Sequence, residues 1–106
     1  MNNHKFFSNL GLAMRAGKLV TGDTGVLDAI RSGEAKLVIM ALDASPNAQK
    51  KYRDKCAHYE VPLTEFGTRD QLGAGIGKAE RVVIAVIDAG FAQMLVRSQG
   101  KPAEVE

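Results

Sequence analysis

The chain of 106 residues has a single cysteine, Cys56, and two histidines, His4 and His58. One cysteine excludes an internal disulfide. No second cysteine or paired histidine stands near it, so no zinc-type ligand set is formed. The histidines are far apart in sequence and read as ordinary residues. No apolar run approaches the roughly 20 residues needed to cross a membrane, and the opening Met-Asn-Asn-His-Lys lacks the apolar core of a signal peptide. These absences predict a soluble, cytoplasmic protein without metal or other cofactor. No Ser, His and Asp set carries a local catalytic signature, so an enzyme is not expected and no residue is assigned as catalytic. There is no internal repeat. Charge is nearly balanced, with a net +2, which permits a nucleic-acid partner without requiring one.

Apolar content of 45% and charged content of 25% suit one globular unit with a proper core. Residues 1–97 read as a single domain and 98–106 as a flexible tail without a core face; a monomer is expected. Lys5–Ala16 carries Phe6, Leu10, Ala13 and Met14 at helical spacing, ended by Gly17. Leu19-Val20 is a short strand. Thr21-Gly22-Asp23-Thr24 then supplies turn residues and N-cap oxygens for a helix whose face is Val26, Leu27, Ala29 and Ile30, stopped by Gly33.

Ala35–Leu42 is a continuous apolar run suited to a strand buried on both faces. Ser45 caps the next helix with Pro46 at its first position. That helix is amphipathic, with Ala48, Tyr52, Cys56 and Tyr59 on its less charged side. Val61–Phe66 is a short strand, and Pro62 suggests a poorly protected position. Thr68-Arg-Asp-Gln resembles a capping box for a short helix through Leu72. Gly73–Lys78 reads as a glycine-rich loop, Arg81–Ile87 as a second buried strand, and Asp88 as the cap of a last helix bearing Phe91, Met94, Leu95 and Val96. Alternating helices and strands predict an α/β fold, a three-layer α/β/α sandwich with a small mixed central sheet, much of it parallel.

Loops at one end of such a sheet converge on a site. Three turns are candidates: Gly22, Asp23, Thr24 and Gly25; Asp43 to Asn47, including Ser45; and Gly73 to Lys78, including Gly75, Ile76, Gly77 and Lys78. The N–H groups at the first would meet an anion at a helix N-terminus. Lys18, Arg31, Arg69 and Lys78 lie near these turns in sequence and can contact phosphate, while Ile76 can pack on an exposed base. A mixed polar, apolar and basic loop surface suits structured RNA.

The ordered combination Gly22-Asp23-Thr24-Gly25-Val26, Ala29-Ile30-Arg31-Ser32-Gly33, Lys36-Leu37-Val38-Ile39, Asp43-Ala44-Ser45-Pro46 and Leu72-Gly73-Ala74-Gly75-Ile76-Gly77 resembles the kink-turn RNA-binding ribosomal-protein family, of L-seven-Ae type, in its bacterial YlxQ-like branch. The resemblance spans residues 5–97. It implies a noncatalytic protein that binds a sharply bent RNA through the first glycine turn and the glycine-rich loop, with the ribosome or another ribonucleoprotein or protein as partner. Family members carry Asn and Glu in the first turn and a Lys one helical turn on; the matching positions here are Thr24, Gly25 and Asp28. Ser45 matches a residue lining the pocket for an extruded base, Arg69 a basic pocket residue, and the Ile76 loop the segment covering that nucleotide. The missing Glu and Lys imply altered or weaker kink-turn specificity. The alternative is a protein-interaction module that has lost this recognition.

Overall fold

A computed structural model describes residues 3–99. The elements run α1 (Asn3–Arg15), β1 (Leu19–Thr21), α2 (Asp23–Ser32), β2 (Leu37–Met40), α3 (Pro46–His58), β3 (Leu63–Glu65), α4 (Arg69–Gly75), β4 (Val83–Val86) and α5 (Ala89–Arg97). Local chemistry sets most of the boundaries. Gly33 ends α2 at φ 85°, in the left-handed region that glycine adopts without a Cβ clash. Ser45 Oγ accepts the Ala48 N–H at the head of α3, with Pro46 next to it. Thr68 and Gln71 form a reciprocal capping box, and the Asp88 carboxylate accepts the Phe91 N–H.

The sheet order is β1-β4-β2-β3. β2 and β3 are parallel, but β4 enters antiparallel between β1 and β2, so the expectation of a largely parallel sheet is corrected. The reason lies in α4. The Arg81 N–H donates to the carbonyl of Arg69, the first residue of that helix. The chain therefore re-enters the sheet at the end where β3 left it and must run back the other way. β3 is an edge strand, consistent with Pro62 just before it.

Strand alternation divides the core between two faces. Leu37, Ile39, Ile84 and Val86 meet Phe6, Leu10, Leu72, Ala92 and Leu95 from α1, α4 and α5. Val38, Met40, Val83 and Ala85 meet Val26, Ala29, Ile30, Tyr52 and Cys56 from α2 and α3. This is the three-layer sandwich, and both central strands are buried throughout.

Three local expectations are corrected, and the faces of α5 are settled. β2 is shorter than Ala35–Leu42; Leu42 is exposed and its N–H turns to the Gly67 carbonyl. The N-cap of α2 is Gly22, with no side-chain cap, because the Asp23 carboxylate is drawn to α3 instead. Met94 and Val96 face outward on α5, whose buried stripe is Ala92 and Leu95. Packing also runs past Arg97 into the segment read as a tail: Ser98 is buried, with Oγ on the Leu95 carbonyl, and the Gln99 amide donates to Thr64 Oγ1. Residues 100–106 lie outside the described residues.

Candidate nucleic-acid interface

β1, β2 and β3 all finish, and β4 begins, at one end of the sheet. The β1–α2 junction, the β2–α3 loop, the β3–α4 loop and the α4–β4 loop therefore gather there. Gly22 makes the first junction at φ 91° and ψ 147°, a conformation that side chains oppose. α2 follows at once. Its first ladder bond is Val26 N–H to the Gly22 carbonyl, so the N–H groups ahead of Val26 are free of the helix and exposed with Asp23 and Thr24.

Asp23 accepts from Lys51 Nζ at 2.7 Å and from the buried Tyr52 hydroxyl. Lys51, foremost, and Tyr52 hold this carboxyl below the usual carboxylate range. Burial first, then Asp23, pushes the Tyr52 hydroxyl well above the usual tyrosine value. Asp23, Lys51, Tyr52 and Arg81 line a cleft of about 290 Å³ beside Gly22. Arg81 is held by the carbonyls of Ala79 and Glu80, which accept from its Nη1.

In the next loop Asp43 Oδ1 accepts the Arg69 N–H at 2.9 Å, locking the β2–α3 loop to the start of α4. Arg69 Nε lies 3.5 Å from Asp43 Oδ2, an ion-pair contact rather than a hydrogen bond, so Nε keeps no hydrogen-bond partner. Ser45 is exposed at this end, with its oxygen already engaged as the cap of α3.

Gly22, Asp23, Thr24, Ser45, Arg69, Gly77 and Lys78 thus share one end of the sheet. Lys18 and Arg31 do not, which corrects their placement. The Lys18 carbonyl accepts the Ile87 N–H beyond the far end of β4, and Arg31 sits in the last turn of α2, 3.5 Å from Asp28 Oδ1. Neighbours in sequence are separated here because each element runs the length of the sheet.

The glycine-rich segment is corrected as well. Gly73 and Gly75 are helical, and only Gly77, at φ 73°, makes a turn. A Cβ on Gly73 would stand 2.1 Å from the Ala79 carbonyl oxygen, and one on Gly75 3.2 Å from Phe7 Cδ1. These two glycines serve close packing inside the protein. Ile76 is 6% exposed and packed in the core beneath α1, so it offers no face to a base. Gly25 is small for a similar reason, since a Cβ there would meet Val20 Cγ1 at 2.9 Å. Asp28 points to solvent and is partly neutralised by Arg31. Lys51, Tyr52 and Arg81 escaped sequence reasoning. Tyr52 lies 29 residues from the carboxylate it meets, and its i, i+4 spacing reads as a plain core stripe.

Residues 4–96 match the ribosomal protein L7Ae/L30e/S12e/Gadd45 family. The chain belongs to this family. Among its relatives, RNA-binding protein YlxQ of Bacillus subtilis (strain 168) is 48% identical over 96 residues, covering 91% of this chain and 96% of that protein. Large ribosomal subunit protein eL30B of Schizosaccharomyces pombe is 38% identical over 96 residues, covering 83% and 77%. A solved structure of a protein with unknown function from Bacillus halodurans C has a TM-score of 0.87 at 45% identity, covering 92% of this chain and 98% of that one. As a member of the L7Ae/L30e family the chain is not an enzyme; its curated relatives bear the names of RNA-binding and ribosomal proteins. No helix among the described residues is long and apolar enough to cross a membrane.

Proposed function

We propose that this chain binds structured RNA without reacting with it, as part of the ribosome or another cytoplasmic ribonucleoprotein. The observation that carries the reading is that the exposed α2 N-terminus behind Gly22, the exposed Lys78 and the half-buried, Asp43-paired Arg69 lie at one sheet end. Free N–H groups and the helix dipole position phosphate, Thr24 hydrogen-bonds a base or phosphate, and Arg69 and Lys78 supply charge. Family membership and the name of the YlxQ relative support the same conclusion. A bent, kink-turn-like stem is the target that the family resemblance favours.

Gly25 and Asp28 shape its specificity. Gly25 has no side chain with which to read a base edge, and Asp28 places a carboxylate where phosphate would be repelled. Recognition then leans on bent shape and backbone more than on tandem G·A pairs. These two residues also favour the second reading, a protein-interaction module that has lost its RNA surface.

The test titrates a kink-turn stem-loop, the same stem with its G·A pairs replaced, and unstructured RNA at several salt concentrations. The expected order is bent stem, altered stem, unstructured RNA, with the altered stem only modestly weaker. Lys78→Glu should weaken all three and reduce the salt slope by about 1. Equal binding to all three RNAs overturns the kink-turn-like mode, and no binding at any salt favours the protein-interaction module.

A further inference from the structure

Asn9 is a polar residue inside the α1/α5 layer, only 8% exposed, and its amide nitrogen has no hydrogen-bond partner. Buried amides are nearly always satisfied, so an orphan lining a cleft points to a missing acceptor. Asn9 lines a cleft of about 270 Å³ between α1 and α5, together with Lys5, Met94, Arg97 and Ser98. The Ser98 hydroxyl proton is already given to the Leu95 carbonyl. The remaining donors are the Asn9 amide, the Lys5 ammonium and the Arg97 guanidinium. Neither cation takes part in an ion pair among the described residues. Two cations and an unpartnered amide N–H, the free donors of this cleft, suit a group that only accepts, such as a carboxylate.

Arg97 also lines an adjoining apolar groove with Leu37, Pro62, Ala92 and Val96. Val96 is 47% exposed and Met94 37%, so α5 offers apolar side chains on both flanks of the cation. Lys36 and Gln93 complete the groove's rim. Its apolar floor of Leu37, Pro62, Ala92 and Val96 gives a phosphodiester backbone no partner, whereas a peptide that alternates acidic and branched apolar residues meets both the cations and the floor.

We propose that the α1/α5 cleft and its adjoining groove dock an acidic, apolar-anchored segment of a partner protein. A carboxylate of that segment sits among Asn9, Lys5 and Arg97, and a neighbouring Val or Leu lies against Val96 and Pro62. The site is on the face of the sheet opposite α2 and α3, away from Asp23 and Lys51.

The experiment is a two-dimensional NMR titration of the full chain with the peptide acetyl-Glu-Val-Glu-Leu-Glu-amide and its Gln-for-Glu counterpart. Saturable shifts are expected at Lys5, Met94, Val96, Arg97 and the Asn9 side-chain amide. The Gln peptide should bind about tenfold more weakly, as should the acidic peptide to the exposed-site variant Arg97→Gln. Asn9→Leu should abolish the carboxylate preference, and Arg97→Gln keeps the test valid should that core variant fail to fold. Equal binding of the two peptides, or shifts confined to other surfaces, overturns the proposal. So does displacement of the peptide by inorganic phosphate or a single-stranded RNA oligomer, which would make the cleft an anion or nucleic-acid site. Shifts at these residues on concentrating the chain alone would overturn it in favour of self-association.

Discussion

Asp23, the first residue of α2, accepts a hydrogen bond from the hydroxyl of Tyr52, midway along α3. This single contact ties the N-terminus that faces the proposed RNA to the body of the neighbouring helix. Tyr52→Phe keeps the buried ring and deletes only the hydroxyl. It should cost about 1 kcal/mol, the worth of an ordinary hydrogen bond and less than the usual bond to a charged group, because Asp23 is half exposed and retains Lys51. Urea unfolding measures this, and an unchanged midpoint would show that the contact adds nothing to stability.

Stability should fall at both pH extremes, for separate reasons. The Asp23 carboxyl is held below its ordinary 3.8 by Lys51 and then Tyr52. Its contribution is therefore present above that value and lost as pH falls through the lower, folded-state value. Burial pushes the Cys56 thiol from 9.0 up to about 11. Its contribution is complete below 9.0 and lost as pH rises through that interval, because the unfolded chain releases the proton first. Tyr52 is raised likewise and adds to the alkaline loss above its ordinary 10.0. Urea midpoints across this range should decline less steeply in Cys56→Ala than in the wild type; parallel curves would remove the thiol as a cause.

Restoring the family's side chains should sharpen recognition. Gly25→Glu with Asp28→Lys should raise affinity for a kink-turn stem about tenfold relative to the stem without G·A pairs, a difference of about 1.4 kcal/mol. Two effects on stability oppose each other. Replacing a helical glycine gains up to about 1 kcal/mol, while Val20 Cγ1, 2.9 Å from the new Cβ, must yield. Val20 is branched at Cβ and has few rotamers to turn to, so the clash should offset the glycine gain and leave the variant no more stable than the parent. Unchanged RNA discrimination in a folded double variant would disconnect these positions from base reading.

Gly73→Ala is the harsher change. The clash at 2.1 Å is with backbone oxygen, which cannot rotate aside. Moving it means moving the Ala79–Arg81 segment that leads into β4. A loss of about 3 kcal/mol or more is expected, at the severe end for single substitutions. Thermal melting monitors it, and a near-native melting temperature would show that the α4–β4 loop accommodates freely.

Features that depend on a few neighbouring residues were legible in the chain. Ser45-Pro46 and Thr68 through Gln71 announce helix starts, and the apolar runs around Ile39 and Ile84 announce buried strands, because a cap or a run carries its own chemistry. The antiparallel entry of β4 was not legible, since it depends on a bond between Arg81 and Arg69 across a short helix. Gly73 and Gly75 read as part of a glycine-rich loop open to RNA because sequence shows that a side chain is missing, not what fills its place. Ile76 followed them into that error. Lys18 and Arg31 looked close to the first turn because distance along the chain says nothing about which end of a strand or helix a residue occupies. Lys51 needed the fold before it could be seen to meet Asp23, and Arg81 before it could be placed in the same cleft.

The position of β4 also governs when this chain can acquire its shape. β4, the last of the described strands, is the one that joins β1 to β2 and β3, and β1 pairs with no other strand among the described residues. A nascent chain emerging from the ribosome with Lys78 as its latest residue holds β1 apart from β2 and β3, with Val38 and Ile39 lacking their antiparallel partner. Cooperative folding must wait until Val86 has cleared the exit tunnel, so β1 to β3 are all synthesised before the sheet can close. The sheet is therefore expected to close in one step, when β4 enters between β1 and β2.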